Sequence, residues 1–343
     1  MHSIFRNSLY MTFTQLTDFK TVPNAKQCVL NWALAGFVIL AWGVTFASTR
    51  VLLRDFSALE IQLLRFALAW CGLRICESVL ERGVRAAVRL PWRGEIVFAA
   101  MGLTGVAIYQ FLENCAIYYT NASNVAVLVS FGPIVTAVLA WLITGERALT
   151  LRLLTGSLVA VCGVALVSLN GIVNFEMRPL GDFMAIGAMV SWGLYSVLVD
   201  KVNKMGVSPL VAIRKTFFWA MAIMTPFALW GVTDAGFYAM DGSFSVNLDA
   251  DVNLERFARP VNLVNIIFLG GVASAACFVM WNCACRTLGV VRTTLGLYLT
   301  PIVGVAFASL FLGERLTVMS IIGGVSILVG VAIANMDFTR RGK

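Results

Sequence analysis

Long apolar stretches separated by short polar ones run through nearly the whole chain. Ten such stretches are read at about residues 29–50, 58–79, 95–118, 121–143, 152–170, 181–202, 209–231, 263–286, 290–312 and 318–336. About 20 apolar residues make a helix long enough to cross the hydrocarbon core of a bilayer. A helix also satisfies its own backbone groups where water is absent. The pattern therefore predicts an all-α integral membrane protein with ten transmembrane helices. Residues 1–28 and 337–343 read as polar tails. The connections are short except 232–262, where Asp234, Asp241, Asp249, Asp251 and Glu255 stand against Arg256 and Arg259. That segment reads as a solvated loop.

Composition agrees. Of 343 residues, 59% are hydrophobic and 13% charged, against about 25% charged in soluble domains. The net charge of +8 does not imply nucleic acid, because the basic residues fall in loops between apolar spans. With the N-terminus inside, 19 Lys and Arg lie on the inner side and 7 on the outer. The positive-inside rule then places both termini in the cytoplasm and loop 232–262 outside. Met1 to Gln27 is polar and mixed, so no cleavable signal peptide is expected. The first span would be its own insertion signal.

Chemistry is limited by what is missing. The one histidine is His2, which removes His-dependent nucleophilic or zinc sites from consideration. Most of the eight cysteines lie in apolar spans and read as small packing residues. There is no Gly-x-x-x-x-Gly-Lys loop for ATP and no carboxylate pair at metal-ligand spacing. No enzyme activity, cofactor or metal is expected. Asn121-Ala122-Ser123 matches a glycosylation sequon but sits in a very short turn.

The most telling pattern is a duplication. Asn114-Cys115-Ala116, Pro133-Ile134-Val135 and Gly145-Glu146-Arg147 recur 168 positions later as Asn282-Cys283-Ala284, Pro301-Ile302-Val303 and Gly313-Glu314-Arg315. Earlier in each half, Trp42-Gly43 matches Trp192-Gly193, and Trp42 to Arg65 spans 23 residues, as does Trp192 to Lys215. Gly156 and Gly163 match Gly323 and Gly330 at the ends. The repeats are read as residues 29–170 and 181–336. Five spans per repeat is an odd number, so the second repeat enters the membrane in the opposite sense. Two inverted five-helix repeats around a pseudo-two-fold axis in the membrane plane is a common plan for secondary transporters.

In each half a Trp-Gly in the first span is followed by a basic residue early in the second. A Pro then precedes Gly-Glu-Arg at the end of the fourth, and a Gly-rich fifth span closes the half. This ordered set resembles the EamA-type branch of the drug/metabolite transporter superfamily, over about residues 30–170 and 181–336. The resemblance implies a ten-helix carrier working by alternating access. Its characterised members move amino acids, metabolites, nucleotide-sugars or drugs, often outward.

Several residues are candidates for the substrate pathway. Asn114 and Asn282 each precede their proline by 19 residues. An amide inside the membrane needs partners, so each lines a cavity or ties helices together. Gln110 shares the face of Asn114. Trp42, Trp192, Tyr195, Trp281 and Tyr298 lie deep in spans, where aromatics either wall a pocket or pack helices. Arg65 and Lys215 either clamp an anionic group or reach to the headgroups. Pro133 and Pro301 mark a kink, static or gating. Glu146-Arg147 and Glu314-Arg315 read mainly as turn and capping residues. Glu113 is the candidate for proton coupling; its alternative is an interfacial carboxylate. The first span of each half lacks a central carboxylate, unlike the small multidrug-resistance relatives.

These readings combine into a multi-pass carrier of the cytoplasmic membrane that moves a small metabolite, amino acids foremost and export favoured. The alternative is a multidrug exporter of hydrophobic or cationic compounds. Expected partners are a small-molecule substrate, the lipid bilayer and, through Glu113, a proton; nucleic acid is not expected. Monomer and homodimer both suit the duplication.

Overall fold

The computed structural model describes residues 25–52, 54–56, 58–80, 92–120, 122–145, 149–169, 178–233, 255–312 and 317–336. Every regular element among them is helical. The first half comprises α1 (Ala25–Leu52), α2 (Ala58–Leu80) and α3 (Trp92–Gly102). A π-helical segment, Leu103–Ile108, then leads into α4 (Tyr109–Tyr119), followed by α5 (Ala122–Val129), α6 (Gly132–Thr144) and α7 (Leu151–Leu169). The second half comprises α8 (Pro179–Lys204), α9 (Pro209–Thr233), the short α10 (Glu255–Ala258) and α11 (Pro260–Ile267). A second π segment, Phe268–Ala276, leads into α12 (Cys277–Leu288) and α13 (Val290–Thr294). A 3₁₀ segment (Leu295–Leu299), α14 (Thr300–Leu312) and α15 (Val318–Asn335) complete it.

Eight helical stretches among the described residues are long and apolar enough to cross a membrane, against the ten expected. The other two long helices carry charge inside: α2 holds Glu60, Arg65, Arg74 and Glu77, and α9 holds Arg214 and Lys215. The loop residues 234–254, both tails, Asn121 and the two Glu-Arg pairs at 146–147 and 314–315 lie outside the described residues.

The halves meet through exchanged contacts. A Cβ at Gly156 of α7 would stand 2.6 Å from Gly330 O of α15, and one at Gly163 would stand 2.6 Å from Gly323 O. The two helices therefore run antiparallel, backbone against backbone, as small residues permit where there is no water to drive association. Gly43 of α1 lies under Val303 of α14, and Gly193 of α8 lies under Val135 of α6. Gly102 packs on α9 at Thr216 and Ala220, and Gly270 packs on α2 at Leu68. The glycine pair of α7 thus meets its counterpart pair on α15, whereas the Trp-Gly of each half meets the Pro-Ile-Val of the other.

The prolines do not interrupt a continuous helix. Pro133 lies in the first turn of α6 and Pro301 is the second residue of α14. A missing N–H costs nothing there. The breaks precede them, at Ser130–Phe131 after α5 and in the 3₁₀ segment before α14. Gly145 ends α6 in a left-handed conformation, φ 73°, which favours glycine.

Candidate functional site

The two π segments occupy equivalent places in the halves. A π turn widens the helix and disturbs its hydrogen-bond ladder, and such turns are frequent at functional sites. Here each receives a donor from the first helix of the opposite half. Trp42 on α1 donates through Nε1 to Ala273 O (3.0 Å), and Ser191 on α8 donates through Oγ to Thr104 O (2.7 Å). The sequence contained no signal for either π segment.

Between these segments the deep aromatics collect. Trp42 contacts Trp192 at 6.1 Å, Phe278 at 5.5 Å and Trp281 at 5.2 Å between ring centres. Trp192 contacts Tyr109 and Tyr195, each at 5.1 Å. Phe217 extends the group through Phe278 and Phe66. Trp42 and Trp192, equivalent in the repeat, thus meet edge to face at the junction of the halves. Tyr109, Phe278 and Phe217 were not singled out from the sequence, where they read as ordinary apolar-span residues.

Polar atoms border the rings. The Trp192 Nε1, Tyr195 hydroxyl and Asn282 Oδ1 are buried without a completed hydrogen bond among the described residues. Asn282 is fully buried and donates through Nδ2 to Phe278 O at 3.2 Å, within its own helix. Its carboxamide stands beside Tyr195 of α8. Gln110 is half-buried on α4, and the side chain of Asn114 lies outside what is described. Tyr298 is elsewhere: it is buried among Val127, Ala160, Val161, Val164 and Ile327, beside Ser157 in the α7–α15 seam.

A pair of ionisable side chains borders this region. Arg65 Nε donates to Ser274 Oγ of the second π segment at 2.9 Å, and its guanidinium interacts electrostatically with Glu113. Tyr109 donates its hydroxyl to Glu113 Oε1 at 2.8 Å. Arg65, Glu113 and Tyr109 therefore connect α2, α4 and the π segment at the rim of the aromatic group. Lys215 does not join Arg65. It pairs with Glu95, which also accepts from Trp219 Nε1, while Arg214 pairs with Glu77 at 2.8 Å. Arg65 and Lys215 thus hold equivalent places near the starts of α2 and α9 but have different partners.

At the end of α1 a second cluster ties the halves together. Asp55 accepts from Arg259 Nη1 and Asn262 Nδ2, both at 2.8 Å. Arg256 Nη2 donates to Glu60 Oε1 at 2.9 Å, and the guanidinium lies 4.7 Å from the Phe56 ring centre. The hydrogen bond from Asn262 holds the Asp55 carboxyl below its ordinary pKa; partial desolvation opposes this, and the charges of Arg259 and Arg256 reinforce it.

The EamA-like transporter family matches residues 30–169 and again 179–336. The chain belongs to the EamA-like transporter family. The matched repeats are the two halves whose Trp-Gly, proline and glycine motifs contact one another. Similar proteins include a probable terminal-alkyne amino-acid exporter of Streptantibioticus cattleyicolor, 28% identical over 89% of this chain and 92% of its own. A probable amino-acid metabolite efflux pump of Escherichia coli is 24% identical over 88% and 93%. A protein of known crystal structure superposes with a TM-score of 0.68 at 17% identity, covering 92% of this chain and 99% of its own. This EamA-like chain is thus a multi-pass membrane protein of a transporter family, built as two repeats of helices.

Proposed function

We propose that the chain is a ten-helix secondary transporter exporting a small amino acid or related organic solute across the cytoplasmic membrane by alternating access. In this reading α2 and α9 span with the other eight helices, both termini are cytoplasmic and the halves are inverted repeats. The observation that carries it is the junction where Trp42 and Trp192 meet under Trp281 and Phe278, bordered by Arg65 and Glu113. Secondary transporters bind substrate at the interface of their repeats, on interrupted helices. Rocking of the halves separates the rings and exposes Asn282, Gln110 and Asn114 to substrate. Arg65 takes an anionic group, and Glu113 carries the coupling proton. The two relatives named for amino-acid export support the substrate class.

The multidrug reading has its own observation: an aromatic group beside a carboxylate also suits hydrophobic cations. A thermal-shift screen of purified protein separates the two, because a ligand that binds only the folded state raises its melting temperature. Stabilisation by one class of amino acids, lost in Asn282→Leu, supports the amino-acid exporter. Stabilisation mainly by bulky cations refutes it in favour of the drug exporter.

A further inference from the structure

A cavity of about 120 Å³ opens between α6, α8 and the start of α13, lined by Thr136, Thr144, Ser196, Asp200, Gly289 and Arg292 among others. Chain direction puts it at the end of the bundle opposite Asp55: α6, α8 and α12 all finish there, whereas α1 finishes at Asp55. Thr136 and Ser196 are 0% and 2% exposed, yet Thr136 Oγ1 and Ser196 Oγ have no hydrogen-bond partner among the described residues. Arg292 Nε is likewise without one, while its guanidinium lies 5.1 Å from the Trp32 ring centre. Asp200, across the cavity, pairs with the half-exposed Lys204 at 2.6 Å. Buried polar groups are costly when unpaired, and nearly all find partners in folded proteins.

From this arrangement we infer that the cavity is a loading subsite for the charged head of a zwitterionic amino acid. Arg292 receives the α-carboxylate, Asp200 exchanges Lys204 for the α-ammonium, and the hydroxyls of Thr136 and Ser196 complete the hydrogen bonds. The two charges are of opposite sign and the pocket is small, so a zwitterion matches it where a simple anion or cation leaves one side unsatisfied. Trp192, Ser196 and Asp200 follow one another at four-residue intervals and therefore share a face of α8. That face leads from the cavity to the aromatic junction. The inference rests on the exporter reading, under which this end faces the cytoplasm and meets substrate first.

The test uses full-length protein in nanodiscs and calorimetric titration with L-alanine and L-threonine. N-acetyl-L-alanine and L-alaninamide, each lacking one of the two charges, are the controls. The subsite predicts saturable binding of the zwitterions, about tenfold or more weaker for the single-charge analogues. Asp200→Asn weakens the zwitterions by about tenfold, the loss of one charge-assisted hydrogen bond. The double variant Thr136→Val with Ser196→Ala weakens them several-fold. Unchanged melting of the ligand-free variants excludes misfolding. Equal affinity in wild type and variants, or no binding of either zwitterion, overturns the subsite. Efflux from cells separates this from the exporter reading. If Asp200→Asn exports amino acids with an unchanged half-saturation concentration, the subsite is refuted and the exporter stands. If wild type exports none, both fall.

Discussion

Two adjacent glycines of α15 allow a sharp test of how the halves join. A Cβ at Gly323 would stand 2.6 Å from Gly163 O and 2.9 Å from Val167 N, whereas one at Gly324 meets nothing within 4 Å. Ordinary contact begins near 3.4 Å, so Gly323→Ala forces the two backbones apart by about 0.8 Å. The obstructing atoms are main chain and cannot rotate away. Overpacking of this kind costs about 1–3 kcal/mol. Gly324→Ala carries no such cost and gains about 0.5–1 kcal/mol from reduced chain entropy. The assay is thermal unfolding of each variant in one detergent, followed by the signal of the buried tryptophans. Gly323→Ala melts below wild type and Gly324→Ala at or above it. Gly156→Ala, whose Cβ would stand 2.6 Å from Gly330 O, behaves like Gly323→Ala. Equal melting of the two neighbouring variants refutes backbone contact between α7 and α15.

Other predictions follow from the site. Trp42→Phe keeps most ring contacts but leaves Ala273 O without its donor; it lowers stability by about 1–2 kcal/mol, read by the same melts, and slows transport in proteoliposomes. Glu113→Gln retains an acceptor for Tyr109 and removes the charge beside Arg65; transport by this variant loses the pH-gradient dependence of the wild type, and a retained dependence rules Glu113 out as the coupling group. The Asp55 carboxyl titrates below its ordinary value, so its hold on Arg259 and Asn262 is complete above about pH 4 and is lost as pH falls through the lowered pKa. Over that interval wild type loses more stability than Asp55→Asn, which lacks the titrating charge; parallel melting curves contradict this.

Much of the architecture was legible because it rests on local rules. Apolar length marks the helices wherever charge is sparse, and it falters at α2 and α9, whose Arg65 and Lys215 need partners supplied by Ser274 and Glu95. The role of the prolines was only half legible. Pro133 and Pro301 mark the right places, but the interruptions lie just before them, since proline suits the first turn of a helix as well as a break. Lys215 and Arg65 look equivalent in sequence and occupy different environments. Tyr298 reads like Tyr195 in sequence, but it packs in another seam.

By itself the sequence determined the membrane class, the duplicated plan and part of the aromatic group, Trp42, Trp192, Tyr195 and Trp281. Each follows from composition or from spacing along one chain, and neither depends on knowing a neighbour. The tertiary structure alone decided that Trp42 reaches the π segment of the other half, that Asp55 gathers Arg259 and Asn262, and that Thr136, Ser196, Asp200 and Arg292 surround one cavity. Those groups are up to 231 residues apart in sequence. Their meeting depends on backbone approach at a few glycines and on π turns, and neither property has a local sequence signal strong enough to read in advance.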